Sequence, residues 1–178
     1  MRLITRLMLY ATTLILCAHV AGCDSSGTSL FWATDEDGDF HTGDIERAQK
    51  EIPFDLVVPH YLPSDIGYPT ISGPLKDKSP EDWIDVEINY QQTKPNGFRW
   101  LLIEEDNVPM LLPDPTQYSG CVGIEIAGVQ VVRCNAIEPV AGVPGWEYHW
   151  IQGDISICTS VYGYDSDEAI KIIESMIQ

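Results

Sequence analysis

A two-residue rhythm of apolar side chains restricts this fold more than any other feature of the chain. Over residues 83–90, Ile84, Val86, Ile88 and Tyr90 alternate with Asp85, Glu87 and Asn89, the pattern of a strand with one buried face. Lys94-Pro95-Asn96-Gly97 has the composition of a hairpin turn, so residues 98–105 return as the partner strand. A second hairpin is expected within residues 122–133. A third joins 146–151 to 155–162 around Gln152-Gly153-Asp154. Pro53, Pro59 and Pro63 forbid a helix, which leaves 54–58 as an extended segment or edge strand. The stretch from there to Pro80 reads as loop, as does 108–119 with its three prolines.

Two helices flank these strands. Residues 44–51 (DIERAQKE) predict a short one capped by Thr42 or Asp44. Residues 167–177 predict a closing one, started by Asp165 with Glu168 at capping-box spacing and carrying Ala169, Ile170, Ile173, Met176 and Ile177 as one stripe. The expected class is α+β: a short helix, then an antiparallel meander of about five to seven strands covered by the C-terminal helix. There is no internal repeat.

The first 22 residues are built differently. Arg2 and Arg6 flank a short apolar run, LMLYATTLILCA. It falls short of the about 20 apolar residues that span a membrane, and its layout is secretory. It ends in Val20-Ala21-Gly22-Cys23, which resembles the bacterial lipobox: an aliphatic residue, two small ones, then the lipidated cysteine. The resemblance implies a signal peptide over 1–22, with membrane lipid joined to Cys23 on the extracytoplasmic face of the cell membrane. Firm anchoring needs more than one fatty chain. Asp24 follows; in two-membrane envelopes such a residue often implies retention at the inner membrane. Residues 24–43 are rich in Asp, Ser, Thr and Gly without apolar periodicity, the composition of a flexible acidic tether. The expected organisation is signal 1–22, anchor and tether 23–43, and one globular domain 44–178.

An exported chain meets oxidising conditions. Cys17 leaves with the signal and Cys23 is spent on lipid, so Cys121, Cys134 and Cys158 remain. With Ala127-Gly128 as a two-residue turn, Ile126 faces Val129, Ile124 faces Val131, Val122 faces Arg133, and Cys121 faces Cys134. That last pair falls at a non-hydrogen-bonded site, where Cα atoms approach to about 4.5 Å. A Cys121–Cys134 disulfide is therefore expected, with the valines and isoleucines of the hairpin on the opposite, core face. Cys158 is left as a buried hydrophobe, a free thiol or a rival partner for Cys134.

Charge narrows the function. The formal net charge is −17, which repels phosphate backbones and speaks against nucleic acid. No HExxH, paired CxxC, P-loop, GxGxxG or GxSxG occurs, and His41, His60 and His149 are far apart. No catalytic residue and no cofactor is expected. Acidic pairs such as Glu104-Glu105 read as solvated strand ends. Asp35, Asp37, Asp39 and Glu46 fall at positions 1, 3, 5 and 12 of a calcium loop, but Phe40 stands where the turn glycine belongs and no helix precedes. Trp146, Tyr148 and Trp150 share one strand face, either as core or as the lining of a pocket.

Several stretches resemble an uncharacterised domain of unknown function found in bacterial lipoproteins and in the outer parts of single-span membrane regulators. They are PFDLVVPHYLP (53–63), VEINY (86–90), IEIAGV (124–129), WIQGDI (150–155), Glu168-Ala169 and IESM (173–176). The resemblance covers most of 44–178. It implies an α+β extracytoplasmic domain and carries no catalytic residue; the cysteines and the proline-rich loop depart from it. The expected function is a non-catalytic binding or structural module of the cell envelope, whose partner is an envelope protein. The alternatives are a carrier or sensor of a small apolar ligand held between sheet and helix, and a hydrolase with an unrecognised site.

Overall fold

The computed structural model describes residues 32–35, 39–74, 84–92, 98–108, 111–136 and 143–177. The signal peptide, Cys23, Asp24, Asp37 and the 94–97 turn lie outside these residues. Among those described, the strands are β1 (Trp32–Thr34), β2 (Asp39–Thr42), β3 (Ile66–Pro74), β4 (Asp85–Gln92), β5 (Trp100–Asp106), β6 (Cys121–Ile126), β7 (Val129–Asn135), β8 (Gly145–Gln152) and β9 (Ile155–Tyr162). The helices are α1 (Ile45–Glu51), between β2 and β3, and α2 (Ser166–Glu174), at the end.

The nine strands form one antiparallel sheet in the order β1-β2-β3-β4-β5-β9-β8-β7-β6. This corrects the expected five to seven strands under a covering helix. A nine-residue helix is about 14 Å long, whereas nine strands spread over roughly 38 Å. The single meander is also corrected. β1 to β5 run in sequence, residues 107–120 carry the chain to the far edge, and β6 to β9 run back until β9 closes against β5. The proline-rich loop is long because it must traverse four strand widths and return to the end of the sheet where β5 began.

Three strands were missed, each for a physical reason. β1 and β2 are too short to show a period, and they lie in the stretch read as tether; Phe40 and Thr42 of β2 are fully buried. β3 contains Pro69, which cannot donate to a ladder. Pro69 pairs with Tyr90 beside a register shift, and it lies beyond β2, which reaches only residues 71–74, so no neighbour on that side lacks a donor. Conversely, residues 54–58 form no strand. The Val57 N–H instead donates to the Glu105 carboxyl, at 3.0 and 3.1 Å from its two oxygens.

The core lies on one face of the sheet. Ile71, Ile88, Ile103, Thr159 and Tyr148 form a continuous buried row across β3, β4, β5, β9 and β8. Against this face pack Ala48 of α1, Leu56 and Val57 of the linking segment, Ala169, Ile172 and Ile173 of α2, and Met176 just after it. Both helices start as the sequence predicts. Asp44 accepts from the Arg47 N–H at 3.1 Å and Asp165 accepts from the Glu168 N–H at 2.8 Å.

The β6–β7 hairpin has the predicted register throughout, turning through Ala127 (φ 49°) and Gly128 (φ 83°). Cys121 and Cys134, with Cα atoms 4.0 Å apart, are joined by a disulfide. Ile126 and Val131 are buried as expected, whereas Val122, near the sheet edge, is 44% exposed. The bond closes a loop of sequence separation 13, for which loop-closure entropy gives about 3 kcal/mol. Reduction, or Cys121→Ser with Cys134→Ser, will lower the unfolding free energy by about that amount and move the urea midpoint down with it. An unchanged midpoint would show that the hairpin is held by packing alone.

A carboxylate face on the sheet

The face opposite the core is where the chain departs from ordinary strand chemistry. In the β4–β5 pair, Asp85 stands opposite Asp106 and Glu87 opposite Glu104. Like charges directly across an antiparallel pair oppose folding. The next strand brings Ser156 opposite Asp106 and Cys158 opposite Glu104, and β8 adds His149 opposite Cys158. His149 Nε2 lies 3.7 Å from Glu147 Oε2.

Asp106 is buried and Glu87 and Glu104 are half-buried, whereas Asp85 is exposed at the start of β4. Burial raises the Glu104 carboxyl above the usual range, and Asp85, Glu87 and Asp106 add repulsion; a contact with Cys158 partly offsets this. Asp85 is raised in the same way, by burial first and then by Asp106, Glu87 and Asp39. Burial first, then Glu104, Glu147 and Asp106, push the Cys158 thiol far up, so it stays protonated and is a poor nucleophile. Among the described residues Cys158 is the free cysteine, on the face opposite Ile157, as the alternation predicts.

The reading of Glu104-Glu105 as solvated strand ends is corrected. Glu105 points into the core and is fully buried. Burial raises its carboxyl to about 8, with the Val57 N–H pulling the other way.

Of the calcium-loop candidates, Asp37 lies outside the described residues. Asp35 accepts from the Asp39 N–H at 2.9 Å and lies 3.1 Å from His41 Nε2, beside the β1–β2 turn. Glu46 is exposed on α1. Phe40 is buried in an extended strand, where a calcium loop would need a tight turn. Among the described residues, no group of three or more His, Cys, Asp or Glu side chains is placed to hold a metal ion. No helix among them is long and apolar enough to cross a membrane. Tyr148 and Trp150 are fully buried and Trp146 packs on the same cluster, so the aromatic row fills the core.

No family model, curated protein or solved structure matches this chain. Its site is therefore read from its own geometry.

The carboxylate pairs went unremarked in the sequence although the signal was present. A turn centred between Pro95 and Asn96 already sets Asp85 opposite Asp106 and Glu87 opposite Glu104. Applying to this hairpin the register argument used for the cysteines would have found them.

Proposed function

We propose that this protein is a non-catalytic, lipid-anchored module on the extracytoplasmic face of the cell membrane, and that its carboxylate face receives a basic segment of another envelope protein. The observation that carries the reading is the pairing of Asp85 with Asp106 and of Glu87 with Glu104. Such pairs cost folding energy, and a cationic partner offsets that cost. The net charge of −17 adds long-range attraction for a basic segment. The Val20-Ala21-Gly22-Cys23 tetrad supports the anchor.

The anchor is tested by mass and fractionation. The mature chain begins at an acylated Cys23 in the membrane fraction, and Cys23→Ser releases it. Recovery of an unmodified full-length chain defeats this part. The face is tested with an octa-arginine peptide as probe. Asp85→Asn, Glu87→Gln, Glu104→Gln and Asp106→Asn together weaken binding about tenfold or more. Neutralising the exposed Glu46, Asp55, Asp154 and Glu174 has a smaller effect. Equal losses in the two variants would mean diffuse attraction and would overturn the reading.

A further inference from the structure

At the end of the sheet where β4 finishes and β5 starts, a cavity of about 600 Å³ opens beside the start of α2. It plays no part in the carboxylate face, and its size falls within the roughly 300–1,000 Å³ of ligand pockets. Its polar lining comes from four separate parts of the chain: Asp65 before β3, Gln92 of β4, Arg99 before β5, and Glu168 of α2. Arg99 is brought there by a close approach. Gly163 (φ 79°) packs so tightly on the Phe98 carbonyl that a Cβ would collide with it.

The arrangement mixes donors and acceptors. Arg99 Nη1 lies 3.2 and 3.1 Å from the two Asp65 oxygens, and Gln92 Nε2 lies 3.4 Å from Asp65 Oδ2. Glu168 Oε2 is 4.0 Å from the same Nη1, an ion pair without a hydrogen bond. The guanidinium sits 5.0 Å over the ring of Tyr164. Tyr164 is 1% exposed, and among the described residues its hydroxyl has no hydrogen-bond partner. At the rim Tyr61 leaves 40% of its surface open, beside Leu62 and Pro63.

This set selects by charge and by hydrogen bonding together. An anion meets Asp65 and Glu168, whereas a cation meets Arg99. A hydroxyl both donates and accepts, so it can bridge the guanidinium and the Glu168 carboxylate where the two stand too far apart to bond directly. A guanidinium and a carboxylate each offer a planar, two-pronged edge, which suits neighbouring hydroxyls. The open Tyr61 ring adds an apolar face with a polar tip. We infer that this cavity binds a neutral polyhydroxylated ligand, a short glycan segment, between Arg99, Glu168 and Tyr61. The inference goes beyond the binding of a basic segment and does not depend on it.

The test uses the full-length protein as expressed, in a sugar-free detergent, titrated calorimetrically with maltotriose, cellotriose and chitotriose. Trigalacturonate, the charged counterpart, is run beside them. At least one neutral trisaccharide binds with millimolar affinity and more tightly than the charged one. Glu168→Gln and Tyr61→Ala each weaken it about three- to tenfold, the effect of one lost polar contact or ring. Both sites are partly exposed, so these variants keep the wild-type urea midpoint, and the distant Asp55→Asn binds as wild type. Failure of all three neutral sugars, tighter binding of trigalacturonate, or unchanged binding in both variants would overturn the inference.

Discussion

Urea denaturation between pH 5 and pH 9 will show Glu105→Gln gaining on the wild-type protein as the pH rises. Glu105 is fully buried, and its carboxyl is raised from an ordinary 4.5 to about 8. The sign follows from proton counting. Between those values the folded state holds a proton that the unfolded state has released, so stability falls with rising pH. The contribution is complete below about pH 4.5 and is lost as the pH passes through 8, at about 1.4 kcal/mol per pH unit and about 5 kcal/mol in all. Glutamine keeps an acceptor for the Val57 N–H and has no proton to lose. Asp85 and Glu104 are raised in the same direction and by the same physics; they remain in both proteins and cancel from the difference. Parallel curves for the two proteins would show that Glu105 titrates normally and that water reaches it.

Trp150→Ala will be among the most damaging single substitutions in the sheet. The side chain is fully buried and is among the largest in the core. Truncating such a residue costs about 3–5 kcal/mol through lost burial and the cavity left behind, a large share of the about 5–15 kcal/mol that holds a domain of this size. Trp150→Phe will cost much less. The indole N–H has no hydrogen-bond partner among the described residues, so phenylalanine gives up volume without orphaning a group. Equal losses for the two variants in urea midpoint would mean that the N–H meets a partner after all.

The sequence was legible wherever a strand was long and half buried. β4 announces itself by alternation, β5, β8 and β9 follow from the turns beside them, and the β6–β7 register follows from one two-residue turn, disulfide included. It was opaque where the signal was short or broken. β1 and β2 have three and four residues, fewer than a period needs to show itself. β3 hides behind Pro69, tolerated only because no neighbour needs a donor there. The order of strands was beyond any local pattern, since the proline-rich loop after β5 is consistent with either a simple return or a traverse. For the site, each acid is visible in the sequence, but its opposite number is fixed only by the register of the β4–β5 pair. Glu105 was misread because its neighbour Glu104 faces the other way. In a strand, adjacent residues share nothing but a peptide bond.

The position of β9 has a consequence for how such a chain is made. Synthesis delivers the five N-terminal strands first, and their ladder ends in β5 with a bare row of backbone donors and acceptors. Its neighbour in the finished molecule is β9, residues 155–162, which follows β6, β7 and β8 in the chain, so the growing chain carries an unsatisfied border until all four of these strands are available. An exposed border of this kind invites pairing with other chains, and long-range closure is slow. β9 is thus the keystone of the sheet, and a chain stopped short of residue 155 has two halves with nothing to join them.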